Sequence, residues 1–196
     1  MTNIAFVDID TQFDFMNPKG NLYVPGAIDI VPNLKKLIAH AVEHNIPIVG
    51  SVDAHSKDDP EFKIYPPHCV KGTEGQKKIP ETSLPSQRII SKDKKADSSE
   101  LMPPGPVILE KTVYSLFDNP NADEALKATG AKRFYLFGVA LDICVKHAAE
   151  GLLERGYEIA IITDATAPVS YEKGEETLNS LKSRGAKLVT TAEVLK

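Results

Sequence analysis

Cys144 lies in the run Phe137-Gly138-Val139-Ala140-Leu141-Asp142-Ile143-Cys144-Val145, where an apolar stretch (Arg133 to Gly138) gives way to a helical pattern (Ile143 to Leu153). A thiol in the first turn of a helix meets unpaired backbone N–H groups and the positive end of the helix dipole, and both favour the thiolate. A thiolate attacks carbonyl carbon. The competing reading is a small packed hydrophobe, the fate of most free cysteines. Asp10 follows an apolar run and can act as a general base, or it can cap its own loop. Lys111, in Leu109-Glu110-Lys111-Thr112, can hold a neighbouring thiolate or carboxylate ionised, or stand in solvent at a strand end.

A second group is Asp53-Ala54-His55, with His68 thirteen positions beyond His55. Two imidazoles and a carboxylate can converge on one divalent cation, and that donor set suits zinc, iron or manganese. The alternative is a polar loop with two ordinary histidines. Glu61 is a further oxygen donor in the same stretch, and Cys69 beside His68 is read as a packed loop cysteine. His40, His44 and His147 fall on helical patterns and are read as surface or packed histidines.

The elements that must position these residues alternate along the chain. Apolar runs at Ile4 to Ile9, Ile46 to Val52, Val107 to Glu110, Phe134 to Gly138, Glu158 to Thr163 and Lys187 to Thr190 read as strands, with Arg88-Ile89-Ile90 a candidate extra one. Amphipathic runs at Ile28 to Glu43, Asn121 to Thr129, Ile143 to Glu154 and Tyr171 to Arg184 read as helices. This alternation predicts a single-domain, three-layer α/β/α fold around a mainly parallel, Rossmann-like sheet of about six strands. In such folds the chemistry sits beyond the carboxyl ends of the strands, where Asp10, Asp53, Lys111 and Cys144 all fall. Residues 53–106 break the rhythm with Pro, Gly, Ser and Lys, and a loop region of that length is usually functional.

Composition narrows the function classes. With 196 residues, 42% of them hydrophobic, the chain can bury the core of one domain. A formal charge of −4 offers no electrostatic footprint for nucleic acid, and no apolar run is long enough to span a membrane. Met1-Thr2-Asn3 leads into a strand without a signal-peptide pattern, and two cysteines make no disulfide framework. A cytoplasmic protein with reduced thiols is expected.

Taken in order, these pieces resemble the isochorismatase-like cysteine hydrolase superfamily, and within it the nicotinamidase (pyrazinamidase) branch. Asp10-Thr11-Gln12-Phe13-Asp14-Phe15 is similar to its D-x-Q-x-D-F, and Asp53-Ala54-His55 to its D-x-H. Pro66-Pro67-His68-Cys69-Val70-Lys71-Gly72-Thr73-Glu74-Gly75 resembles P-x-H-C-V-x-G-T-x-G. Lys111 followed by Tyr114-Ser115-Leu116-Phe117, then Gly138-Val139-Ala140-Leu141-Asp142-Ile143-Cys144-Val145, are similar to its lysine with Y-S-x-F and to G-x-A-x-D-x-C-V. The likeness runs from residue 4 to about residue 190.

The resemblance implies a catalytic triad of Asp10, Lys111 and Cys144, and one divalent metal ion, zinc above iron or manganese, on Asp53, His55 and His68. It implies a cis peptide between Val139 and Ala140, and an oxyanion hole from the N–H groups of Ala140 and Cys144. Phe15, Tyr65 and Val139 would line the substrate pocket. The implied substrate is a small amide, with nicotinamide foremost. A carbamoyl, ureido or other small amide is the second reading, and a non-enzymatic metal or thiol protein the third. An isochorismate-type hydrolase is disfavoured because those relatives lack the cysteine. The resemblance also admits a homo-oligomer, since relatives often self-associate.

Overall fold

A computed structural model describes residues 3–196. Met1 and Thr2, part of the N-terminal stretch read above as lacking a leader pattern, lie outside the described residues. The strands are β1 (Ile4–Ile9), β2 (Ile48–Asp53), β3 (Arg88–Ile90), β4 (Val107–Lys111), β5 (Arg133–Val139), β6 (Glu158–Ala167) and β7 (Lys187–Val189). They form one sheet of seven strands in the order β3-β4-β2-β1-β5-β6-β7, and every pairing is parallel. The count exceeds the expected six by the edge strand β3, whose three residues are too few to carry a periodicity of their own. Strand β2 begins at Ile48 rather than Ile46 because Pro47 has no N–H for the ladder.

Seven α-helices accompany the sheet among the described residues: α1 (Phe13–Met16), α2 (Ala27–His44), α3 (Ser98–Leu101), α4 (Ala122–Ala128), α5 (Lys146–Glu154), α6 (Tyr171–Ser183) and α7 (Thr191–Val194). Alternate residues of β1 feed two separate cores. Ala5, Val7 and Ile9 pack with Leu126, Ala148, Ala149 and Leu152 on the α4–α5 face. Phe6 packs with Ile30, Leu34, Leu37, Ile38 and Phe137 on the α2 face. That period-two division of one buried strand is what a sheet covered on both faces requires. Where β1 and β5 run side by side, Gly138 has φ +109°, and a Cβ there would stand 2.0 Å from the Ile9 carbonyl oxygen. Only glycine satisfies both the backbone and the space.

Residues 53–106 are largely irregular but tied to β1. Gln12 and Lys78 form an antiparallel bridge, Phe13 N donates to Lys77 O (2.8 Å), and Ile79 N donates to Thr11 O (2.9 Å). The Lys78 ammonium runs inward to Asp8 Oδ2 (2.9 Å) and Thr11 Oγ1 (2.7 Å), and Thr11 in turn meets Thr82 at 2.7 Å. Both charged side chains are buried, so each depends on the other for what water would have supplied. Lys78→Met, which strands the Asp8 carboxylate, is expected to cost about 3–5 kcal/mol in a urea titration. Pairing it with Asp8→Leu should recover a large part of that loss.

Candidate active site and metal centre

The sheet order places β4, β2, β1 and β5 side by side, and the chain direction reverses its progression at β1. This is the switch point at which open parallel sheets form a crevice beyond the carboxyl ends of their strands. Asp53 and Lys111, the last residues of β2 and β4, are paired in register. Asp10 follows β1, and its N–H donates to Ser51 O at 3.2 Å. The Lys111 ammonium therefore emerges between two carboxylates: it contacts Asp10 Oδ2 at 2.8 Å and makes a short contact with Asp53 Oδ1. It also lies 3.6 Å from Cys144 Sγ. Ser51 Oγ donates to the other oxygen of Asp10 at 2.7 Å.

This cluster is almost dry: Asp10 is 0% exposed, Lys111 1% and Cys144 7%. Burial alone would discharge Lys111, but Asp10 and Asp53 outweigh it and hold its pKa well above the usual value. Burial pushes the Asp10 carboxyl up, against the pull of Lys111 and Ser51. Burial likewise raises the Cys144 thiol well above its ordinary range, with Lys111 opposing and Asp10 and Asp53 adding to the rise. Here the sequence expectation needs correction. Cys144 sits in a π-helical turn (Leu141–Val145) ahead of α5, and desolvation outweighs any help from the turn's N–H groups. The Val139–Ala140 peptide is cis, so the backbone reaches this turn with the geometry the sequence motif suggested.

Next to the cluster, ligand atoms of Asp53, His55 and His68 lie within 4.8 Å of one another. His55 is buried, and its Nε2 makes no hydrogen bond, standing 3.8 Å from Asp53 Oδ2 and 3.8 Å from Glu61 Oε2. Its other nitrogen, Nδ1, is 3.0 Å from Asp59 Oδ2. His68 Nδ1 lies 2.9 Å from Pro66 O, which fixes the tautomer with Nε2 as the free lone pair. A buried imidazole nitrogen without a partner, flanked by carboxylates at this spacing, fits a divalent cation with nitrogen and oxygen ligands. Burial disfavours a charged His55, yet Asp53, Asp59 and Glu61 overcome it and raise its pKa. The same carboxylate field would hold a cation. Glu61 lies near enough to His55 Nε2 to be a further donor.

A cleft of about 300 Å³ joins the two clusters. Phe15, Tyr65 and Val139 line it, as do His68, Ala140 and Cys144. Tyr65 Oη meets Tyr114 Oη at 3.4 Å, and the Tyr114 ring packs on His147 with centroids 5.5 Å apart. Residues 79–106 contribute nothing to this lining; their Leu84 and Pro103–Pro106 border a groove against the end of α2 instead. Cys69 is fully buried, its N–H donating to Asp14 Oδ2 at 2.8 Å.

Sequence reasoning assigned no role to Gln12, Ser51 or Asp59. Ser51 is two residues before Asp53 on β2 and so faces the same way, a signal that strand periodicity supplies. Gln12 is bound to the Asp53 peptide on both sides: its Oε1 accepts from Asp53 N at 2.7 Å, and its Nε2 donates to Asp53 O at 2.9 Å. A further Nε2 bond to Gln76 O, at 2.8 Å, ties that clamp to the loop. Gln12→Ala should free the Asp53 backbone and weaken divalent-metal binding by roughly 10–100-fold, measured by equilibrium dialysis with metal analysis.

The family model of the isochorismatase domain matches residues 4–193. An isochorismatase family protein of Bacillus subtilis is 30% identical over 175 residues, covering 86% of this chain and 88% of its own. Among solved structures, the pyrazinamidase of Pyrococcus horikoshii in complex with zinc superposes with a TM-score of 0.81 at 30% identity, covering 96% of this chain and 99% of that one. The N-carbamoylsarcosine amidase of Thermoplasma acidophilum gives a TM-score of 0.77 at 28% identity, covering 97% of both chains. With a match that spans nearly its whole length, the chain belongs to the isochorismatase domain family of hydrolases.

Proposed function

We propose that the protein is a cysteine amidohydrolase of the cytoplasm that converts nicotinamide to nicotinate and ammonia through a thioester on Cys144. The observation that carries this reading is the buried Lys111 ammonium, held by Asp10 and Asp53 and 3.6 Å from Cys144 Sγ. A thiol, a carboxylate and a fixed cation in contact are the parts that thiol-based acyl transfer needs.

Asp10 takes the thiol proton as sulfur attacks the carboxamide carbon. The Lys111 charge stabilises the sulfur as it loses that proton, and Asp53 stays beside the ammonium while Asp10 holds the proton. The N–H groups of Ala140 and Cys144 receive the oxyanion, each contributing about 3 kcal/mol in comparable sites. Asp10 then returns its proton to nitrogen, the C–N bond breaks, and ammonia leaves a thioester. Water, deprotonated by Asp10, hydrolyses the thioester to the acid and restores the thiol. Zinc, or iron or manganese in its place, held by Asp53, His55 and His68, would supply a Lewis-acid anchor for the pyridine nitrogen. Phe15, Tyr65 and Val139 offer flat and apolar contacts to the ring.

A second reading within the same chemistry, a carbamoyl or ureido substrate, is favoured by the likeness to an N-carbamoylsarcosine amidase. A panel of small amides led by nicotinamide, assayed for ammonia with the metal-loaded protein, separates the two. Ammonia from no member of the panel would point to a metal or thiol protein without this activity.

Cys144→Ala and Asp10→Ala should each lower kcat on nicotinamide by at least about a thousandfold, with nicotinate formation followed by chromatography. Intact mass after rapid quench should show an acyl adduct on the wild type alone. In the pH profile of kcat/KM, activity falls on the acid side as Asp10 becomes protonated, at a pH above the ordinary carboxylate range. Ser51→Ala removes a hydrogen bond that favours ionised Asp10, so this acid limb should move to still higher pH.

A further inference from the structure

The turn that carries Cys144 is wider than an α-helical turn. The Ala140 carbonyl accepts from Ile143 N at 3.0 Å and from Val145 N at 3.1 Å, the second bond closing a π-type ring. Such rings are rare and persist as single turns, so this one depends on what packs and bonds around it. On its inner side, Leu141 and Val145 are buried in the core that covers the α4–α5 face. On its outer side, the fastening is Asp142. One oxygen of that carboxylate accepts from Val169 N at 2.8 Å, and the other accepts from Ser170 N at 3.1 Å. Both donors precede α6, with Ser170 its N-cap, and lie outside that helix's own hydrogen-bond ladder. The joint is also close-packed: a Cβ on Gly174 would stand 2.8 Å from Pro168 Cβ and 3.6 Å from Leu141 Cδ2.

Asp142 borders the cleft, but its two oxygens are engaged by backbone rather than aimed at the reacting atoms. Its place in the chain gives it another use. Ala140, Asp142 and Cys144 alternate along one turn, and two peptide units span at most about 7 Å. A shift of Asp142 is therefore passed to both amide N–H groups assigned to the oxyanion. Where orientation governs a rate, a misplacement of about 1 Å costs about a hundredfold. Resting on the amidohydrolase reading, we propose that Asp142 is a positioning residue: by anchoring the nucleophile turn to the β6–α6 corner, it holds the Ala140 and Cys144 N–H groups on the oxyanion.

The test pairs two reagents that attack the same sulfur and differ in their need for an oxyanion. From p-nitrophenyl acetate, the acetyl group passes to Cys144 through a tetrahedral oxyanion, the thiol proton goes to Asp10 and p-nitrophenolate leaves. Iodoacetamide alkylates Cys144 by displacement of iodide, and no oxyanion forms. In metal-loaded protein, Asp142→Ala should slow acetylation about a hundredfold, followed as the p-nitrophenolate burst over a Cys144→Ala blank. Asp142→Asn, which keeps one acceptor and guards against a failure of the alanine variant to fold, should slow it about tenfold. Alkylation should slow in neither variant. Equal slowing of both reagents, or acetylation at the wild-type rate, overturns the positioning role. Acetylation that depends on Asp142, with no ammonia from any amide of the panel, supports the role while overturning the amidohydrolase reading. Ammonia release by the wild type with acetylation unchanged in both variants does the reverse.

Discussion

A lysine ammonium removed from water has to be compensated where it stands, and here Lys111 is compensated by two carboxylates at once. Taking away Lys111 would leave two carboxylates unbalanced in a dry interior, which is far more costly than never having buried them. This need brings the ends of β1, β2 and β4 together, although Asp10 and Lys111 are separated by half the chain. It also sets the resting state of the site. Burial, with two negative charges against one positive charge next to Cys144, opposes a further anion and pushes the thiol's pKa up.

The loop after β2 is held with comparable care. Asp14, buried, accepts from Cys69 N and from Asn21 N, and so fixes the strand of loop that carries His68. Gln12 does for Asp53 what a neighbouring strand would do, by pairing with both polar groups of its peptide. The Asp8–Lys78 pair fastens the next stretch of the loop from beneath. One hexapeptide after β1 thus provides a candidate base, a clamp on a candidate metal ligand and an anchor for the loop bearing another.

Much of this was legible in the sequence. The period of the apolar runs specified a parallel α/β sheet, and the motif positions at strand ends predicted that Asp10, Asp53, Lys111 and Cys144 would share one edge, where the structure brings them together. Strand β3 could be read only as a candidate, because three residues show no period. The upward push of burial on the Cys144 thiol escaped because position in a turn can be read from sequence, whereas desolvation depends on everything that packs around the turn. Gln12 stood inside a recognised motif, but its partner is a backbone 41 positions away, and backbone partners leave no mark in side-chain patterns.

Gly138 shows how narrowly such a site can drift. The strand that delivers Val139, Ala140 and Cys144 passes so close to the Ile9 carbonyl that no side chain can be added without parting β1 from β5. Since Asp10 and Cys144 issue from those two strands, any widening there separates the proposed base from the nucleophile. Diversification among descendants of this chain is thereby channelled away from the strands and into the surfaces that face the cleft from outside them, chiefly the segments around Tyr65, Tyr114 and Lys173. The proposed catalytic frame and the walls of the cleft can consequently evolve at different rates.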